Sequence, residues 1–184
     1  MYPLCNDLTH QKVIHEAARE PLTGLLNRGS LIRTIVREVS LAQRHKNPFS
    51  LIILDVYHFK GVNNVHGHLC GDAPPRDVAA HLSRIEHDSD IIFRYGGEEF
   101  VVVLSNTDAA GAARLAERFR GSIEATVMSL QGSADEQQVR VTPSPGAAAL
   151  DEGEYADALL APADGALQDA RSDTCVSTGQ LLAK

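Results

Sequence analysis

Two apolar, branch-rich runs, Ile91–Tyr95 and Glu98–Leu104, are separated only by Gly96-Gly97. Nothing else in the chain constrains the fold as tightly. Two glycines between strand-like runs predict a tight antiparallel hairpin, because such turns need positive φ, which glycine adopts without steric cost. Two strands alone are not stable in water, so the hairpin must find a further partner. Leu51-Ile-Ile-Leu-Asp-Val56 supplies one, a continuous branched run suited to a strand buried on both faces.

Helical periodicity fills the intervals. Gln11–Arg19 reads as a short lead-in helix, punctuated by Pro21 and Gly24. Leu31, Ile32, Ile35, Val36 and Val39 recur at helical spacing until Asn47-Pro48 stops them. A glycine-bearing loop (Gly61 to Gly71) leads to a helix over Asp72–Ile85, with Pro74 and Pro75 in its first turn, where proline is tolerated. Leu115, Phe119 and Ile123 mark another helix, entered through Asn106-Thr107-Asp108. Residues 126–138 read as a polar surface excursion, Val139–Ala149 as a last strand, and Leu159 to Ala170 as a last helix. The order predicts an α+β fold: a ferredoxin-like, palm βαββαβ core with a mostly antiparallel central sheet flanked by helices.

At 184 residues the chain suits one domain, taken as 20–184, after a lead-in or linker stub at 1–19. A formal net charge of −7 argues against a nucleic-acid polymer or an anionic membrane as partner, since both call for a basic face. A nucleotide stays compatible, because a metal ion can supply positive charge. Cys5, Cys70 and Cys175 form no CxxC pair and read as reduced thiols of a cytoplasmic protein. No apolar run reaches membrane-spanning length, and no signal-peptide pattern opens the chain, so direct membrane contact is not expected.

Asp55 stands out as an acidic residue ending an apolar strand, a costly position unless paired or bound to a cation. Glu98 and Glu99 follow the glycine turn directly. In the βαββαβ plan the first strand lies beside the hairpin, so Asp55 and Glu98 can converge, as carboxylates do to hold Mg²⁺ against phosphates. The alternative is that each is a solvated strand-end charge. The loop after Asp55 carries Lys60 among backbone amides that could cradle phosphate oxygens. Asn63 and Asp72 could read a purine edge or simply cap the loop and helix. His66 and His68 fit no strong ligand spacing.

The chain resembles the GGDEF, or diguanylate cyclase, family over about residues 20 to 171. The segments that carry the resemblance are Pro21-Leu-Thr-Gly-Leu-Leu-Asn-Arg28, Leu54-Asp-Val-Tyr-His-Phe-Lys60, Asn63, Gly67-His68, Gly71-Asp72, Arg94-Tyr-Gly-Gly-Glu-Glu-Phe100 and Ala163-Asp164-Gly-Ala-Leu167. The resemblance implies that Asp55, Glu98 and the Val56 carbonyl hold Mg²⁺, or Mn²⁺ in its place. Glu99 would be a further ligand or help deprotonate the attacking hydroxyl. Asn63 and Asp72 would bind guanine, and Lys60, the Phe59 and Lys60 amides and Arg171 the outer phosphates. Gly96 and Gly97 would let backbone approach the nucleotide. Two domains, each with one GTP, would meet as a homodimer and make cyclic di-GMP with release of pyrophosphate, under an upstream sensor domain.

Departures from the family pattern are specific. Tyr57 and Asn64 replace frequent aspartates, and Pro75 a leucine of the guanine pocket. His87 replaces the arginine of the RxxD product-inhibition site, leaving Asp90, so feedback there is expected to be weak. Pro143 and Pro145 interrupt the last strand, which an edge strand can accept if their nitrogens face outward. Pro162 falls in the last helix, and Cys175 replaces a late arginine. These changes keep open a degenerate module that binds GTP or a partner without turnover, and a cyclase acting on one nucleotide.

Overall fold

A computed structural model of the chain describes residues 17–57, 73–85, 89–130, 137–139 and 141–151. In chain order the elements are β1 (Leu26–Asn27), α1 (Arg28–His45), β2 (Phe49–Tyr57), α2 (Ala73–Ile85), β3 (Asp90–Gly96), β4 (Glu99–Ser105), α3 (Ala109–Ala125), β5 (Met128–Leu130), β6 (Gln137–Val139) and β7 (Thr142–Ala149). Most of the expected lead-in helix, the loop after Tyr57 and the expected last helix lie outside the described residues.

One sheet runs β1-β3-β4-β2-β7, with only the β1/β3 pair parallel. Its four long strands have the order expected of the βαββαβ core, with β2 central. Every β2 residue from Phe49 to Val56 is buried, because helices cover both faces. On one face Phe49, Leu51, Ile53, Phe93, Val101 and Val103 pack against Leu31, Ile35 and Val39 of α1. On the other, Ile52, Leu54, Val56, Phe100, Val102 and Leu104 meet Val78 and Leu82 of α2 and Leu115, Phe119 and Ile123 of α3.

Local signals set the helix ends. Asn27 caps α1, its side chain accepting from the Ser30 amide, and Lys46 closes it in the left-handed region at φ 56°. Asp108 caps α3 by accepting from the Gly111 amide at 2.7 Å. Pro74 and Pro75 occupy the first turn of α2, as expected.

Three details differ from the sequence reading. The hairpin's central residues are Gly97 and Glu98, not Gly96-Gly97: Gly96 pairs with Glu99, and only Gly97 of the two has positive φ. Residues 128–130 and 137–139 form a separate two-stranded ribbon where a surface excursion was expected, anchored by buried Met128. The short β1 beside β3 carries too few residues to show a strand period.

Pro143 and Pro145 sit where they cost no ladder bond. The Leu150 amide donates to the Phe49 carbonyl at 2.8 Å, which fixes the parity of the β2/β7 ladder. Ser144, Gly146 and Ala148 turn their backbone groups to β2, and the two prolines turn theirs to the outer edge. Among the described residues that edge pairs with no strand.

Candidate active site

The site is built where β2 ends against the β3–β4 hairpin. The Val56 amide donates to the Glu98 carbonyl at 3.1 Å, so the Val56 backbone faces the hairpin. Parity then makes Asp55 and Glu99, which are directly opposite in register, a non-hydrogen-bonded pair. In such pairs the Cα atoms approach to about 4.5 Å and the side chains share a face. Here that face is the one covered by α1. Asp55 is only 2% exposed, while Glu98 and Glu99 are half-buried. Like charges directly opposite destabilise a ladder, and a cation nearby reverses the sign.

The donor set tests what cation fits. Two carboxylates, Asp55 and Glu98, with the Val56 carbonyl on the same edge are hard oxygen donors, which suit Mg²⁺ or Mn²⁺ and not a thiophilic metal. Among the described residues no three His, Cys, Asp or Glu side chains gather closely enough to hold a metal by themselves. Glu99 is the carboxylate directly opposite Asp55, and Glu98 precedes it at the hairpin turn.

Two residues not assigned a role from the sequence hold the hairpin in place. Arg94 donates from Nε and Nη2 to the Gly97 carbonyl, at 3.1 and 2.8 Å. Its Nη1 lies 2.9 Å from Oε2 of Glu20. Burial pushes the Glu20 carboxyl up, but hydrogen bonds from the Thr23 hydroxyl, from Arg94 and from the Leu22 and Thr23 amides outweigh it and hold the pKa at about 2. The Pro21–Arg28 segment is thereby a collar. Glu20, just before it, grips Arg94, the Leu22 carbonyl accepts from Arg76 of α2 at 3.2 Å, Asn27 starts α1, and Arg28 lies 4.6 Å over the Tyr95 ring. The signal was present in Glu20 three residues before Thr23 and in Arg94 three before Gly97, but neither spacing by itself names a partner.

The structure thus brings Asp55, Val56, Gly97, Glu98 and Glu99 together. Gly96 and Gly97 are exposed, and a Cβ built on either meets nothing within 4 Å. Phe59, Lys60, Asn63, Asp72 and Arg171 lie outside the described residues, as do His87 and Cys175. Pro75 is buried in the first turn of α2, and Asp90 is buried at the start of β3. No helix among the described residues is long and apolar enough to cross a membrane.

Comparison with known proteins identifies the family and the fold. Residues 17–175 match the family described as "Diguanylate cyclase, GGDEF domain". The chain is 36% identical over 156 residues to the diguanylate cyclase DgcP of Pseudomonas aeruginosa, covering 85% of this chain and 23% of that protein. It is 35% identical over 168 residues to the diguanylate cyclase DosC of Shigella sonnei, covering 91% and 36%. It therefore spans about a quarter to a third of these relatives. The coiled coil and GGDEF domain of DgcB from Caulobacter crescentus, solved in complex with c-di-GMP, superposes with a TM-score of 0.83 at 28% identity, covering 91% of this chain and 87% of that one. The matched span and the shared fold agree: the chain belongs to the diguanylate cyclase, GGDEF domain, family.

Proposed function

We propose that the chain is a Mg²⁺-dependent diguanylate cyclase that condenses two GTP into cyclic di-GMP as a homodimer. The observation that carries this reading is the buried Asp55 carboxylate at the end of β2, set directly against the Glu98-Glu99 hairpin. Relatives named diguanylate cyclases and a structural neighbour holding c-di-GMP support it.

Asp55, Glu98 and the Val56 carbonyl would hold the metal, which supplies positive charge to the phosphates. Gly96 and Gly97 leave open backbone where a nucleotide can approach. Asn63 and Asp72 bind guanine, and Lys60, the Phe59 amide and Arg171 hold the outer phosphates. Glu99 takes the proton as the 3′-hydroxyl of one GTP attacks the α-phosphorus of the other. The bond to the bridging oxygen breaks and pyrophosphate leaves; the reverse attack closes the ring. Each domain brings one GTP, so two copies must meet, and positioning supplies most of the acceleration. GTP supply places the domain in the cytoplasm, under a sensor that sets the pairing.

A second reading, a module that binds GTP without turnover, draws on Pro75 and Cys175. The prolines of β7 no longer favour it, because they cost no ladder bond. The test incubates the purified chain with GTP and Mg²⁺ over a range of protein concentrations. Cyclic di-GMP should form with a rate per chain that rises with concentration, and Asp55→Ala and Glu98→Ala should abolish it. Binding of GTP without product at any concentration would leave the second reading standing.

A further inference from the structure

We propose that Ser144 is a positioning residue for the Asp55 carboxylate, held in place by Pro143 and Pro145. The inference rests on the metal-site reading of Asp55 given above. Asp55 is directly opposite Ser144 in the β2/β7 ladder and directly opposite Glu99 in the β2/β4 ladder. Opposed residues share a face, so a hydroxyl and two carboxylates form a row across three strands at the hairpin end. Ser144 is half-buried in this row and Asp55 almost wholly so.

A carboxylate that binds a hard cation through one oxygen is oriented by the donors that face it from neighbouring strands. A serine hydroxyl rotates to donate where needed, and such outer partners orient metal ligands and tune affinity. The mount for this hydroxyl is stiff. Each proline fixes φ near −65°, and the residue before a proline is confined to extended backbone, so Ser144 sits between two locked dihedrals. The same pair in a central strand would break the ladder. On the outer edge of β7 it adds rigidity and leaves the Ser144–Asp55 pairing intact.

The test uses the full chain as wild type, Ser144→Ala, Ser144→Thr and Asp55→Ala. Each is titrated calorimetrically with 3′-deoxy-GTP, which lacks the attacking hydroxyl, in Mn²⁺ and again in EDTA, and is melted without metal. Ser144→Ala should lose about 10- to 100-fold in Mn²⁺-dependent affinity. It should keep the metal-free melting temperature and the affinity in EDTA, and Ser144→Thr should restore binding. Wild-type affinity in Ser144→Ala beside a loss in Asp55→Ala would overturn this inference alone. Equal losses in the alanine and threonine variants would overturn it too, since the hydroxyl would not be the active group. Wild-type affinity in Asp55→Ala would overturn the metal-site reading beneath it.

Discussion

Replacing Glu20 with glutamine should loosen the hairpin in a way that pH can read. The side chain accepts from Arg94, from the Thr23 hydroxyl and from two amides, and its pKa falls from 4.5 to about 2. At about 1.4 kcal/mol per pKa unit that corresponds to no more than about 3.5 kcal/mol. The Glu20 side chain keeps 23% of its surface and Arg94 11%, so solvent screening reduces this to about 1–2 kcal/mol. A glutamine also points an amide donor at donors already present. Because the folded carboxyl titrates below the unfolded one, the contribution is complete above pH 4.5 and is lost as pH falls toward 2. Urea unfolding of wild type and Glu20→Gln should therefore differ by about 1–2 kcal/mol at pH 7, a melting shift of roughly 2–8 °C. The difference should shrink between pH 4.5 and the acid limit. A gap that stays constant with pH, or none at pH 7, would refute the assignment of Glu20 as the anchor of Arg94.

Gly97→Ala should cost about 1–2 kcal/mol in urea unfolding, because φ is +45° and no neighbour contributes to the strain. Gly96→Ala should change stability by less than about 0.5 kcal/mol, since its φ is ordinary and the space is open. Its GTP affinity should nevertheless fall, and an unchanged affinity would remove the close backbone approach from the account. Pro143→Val with Pro145→Val should lower stability by roughly 0.4–1 kcal/mol per site through a freer unfolded chain, with the denaturant slope unchanged. A gain in stability would mean that the prolines strain β7.

The long strands and helices were legible because each carries a strong period or a named cap: Leu51–Val56, the runs around Gly96-Gly97, and Asp108 before α3. The β5–β6 ribbon was not, because three-residue strands among Ser, Gln and Glu leave only Met128 as a core signal. Placing the turn one residue early had a physical cause. Two adjacent glycines read as the two central positions, whereas pairing of Gly96 with Glu99 leaves only Gly97 needing positive φ. That Asp55 would meet the hairpin could be anticipated because the βαββαβ order puts β2 beside it, but not that Glu99 would be the residue directly opposite. The Glu20–Arg94–Gly97 chain could not, because a guanidinium's partners across 74 residues leave no period. Ser144 was hidden for another reason: a lone serine between two prolines reads as a turn and carries no strand period.

If Asp55 and Glu98 hold one metal together for the substrate phosphates, loss of either carboxylate must release it. The most direct measurement is loss of the free Mn²⁺ electron-paramagnetic-resonance signal on adding the chain with 3′-deoxy-GTP, for wild type, Asp55→Asn and Glu98→Gln. Nucleotide-dependent Mn²⁺ binding is expected in the wild type, with a large loss in both variants. Wild-type binding in either variant would contradict the shared metal site.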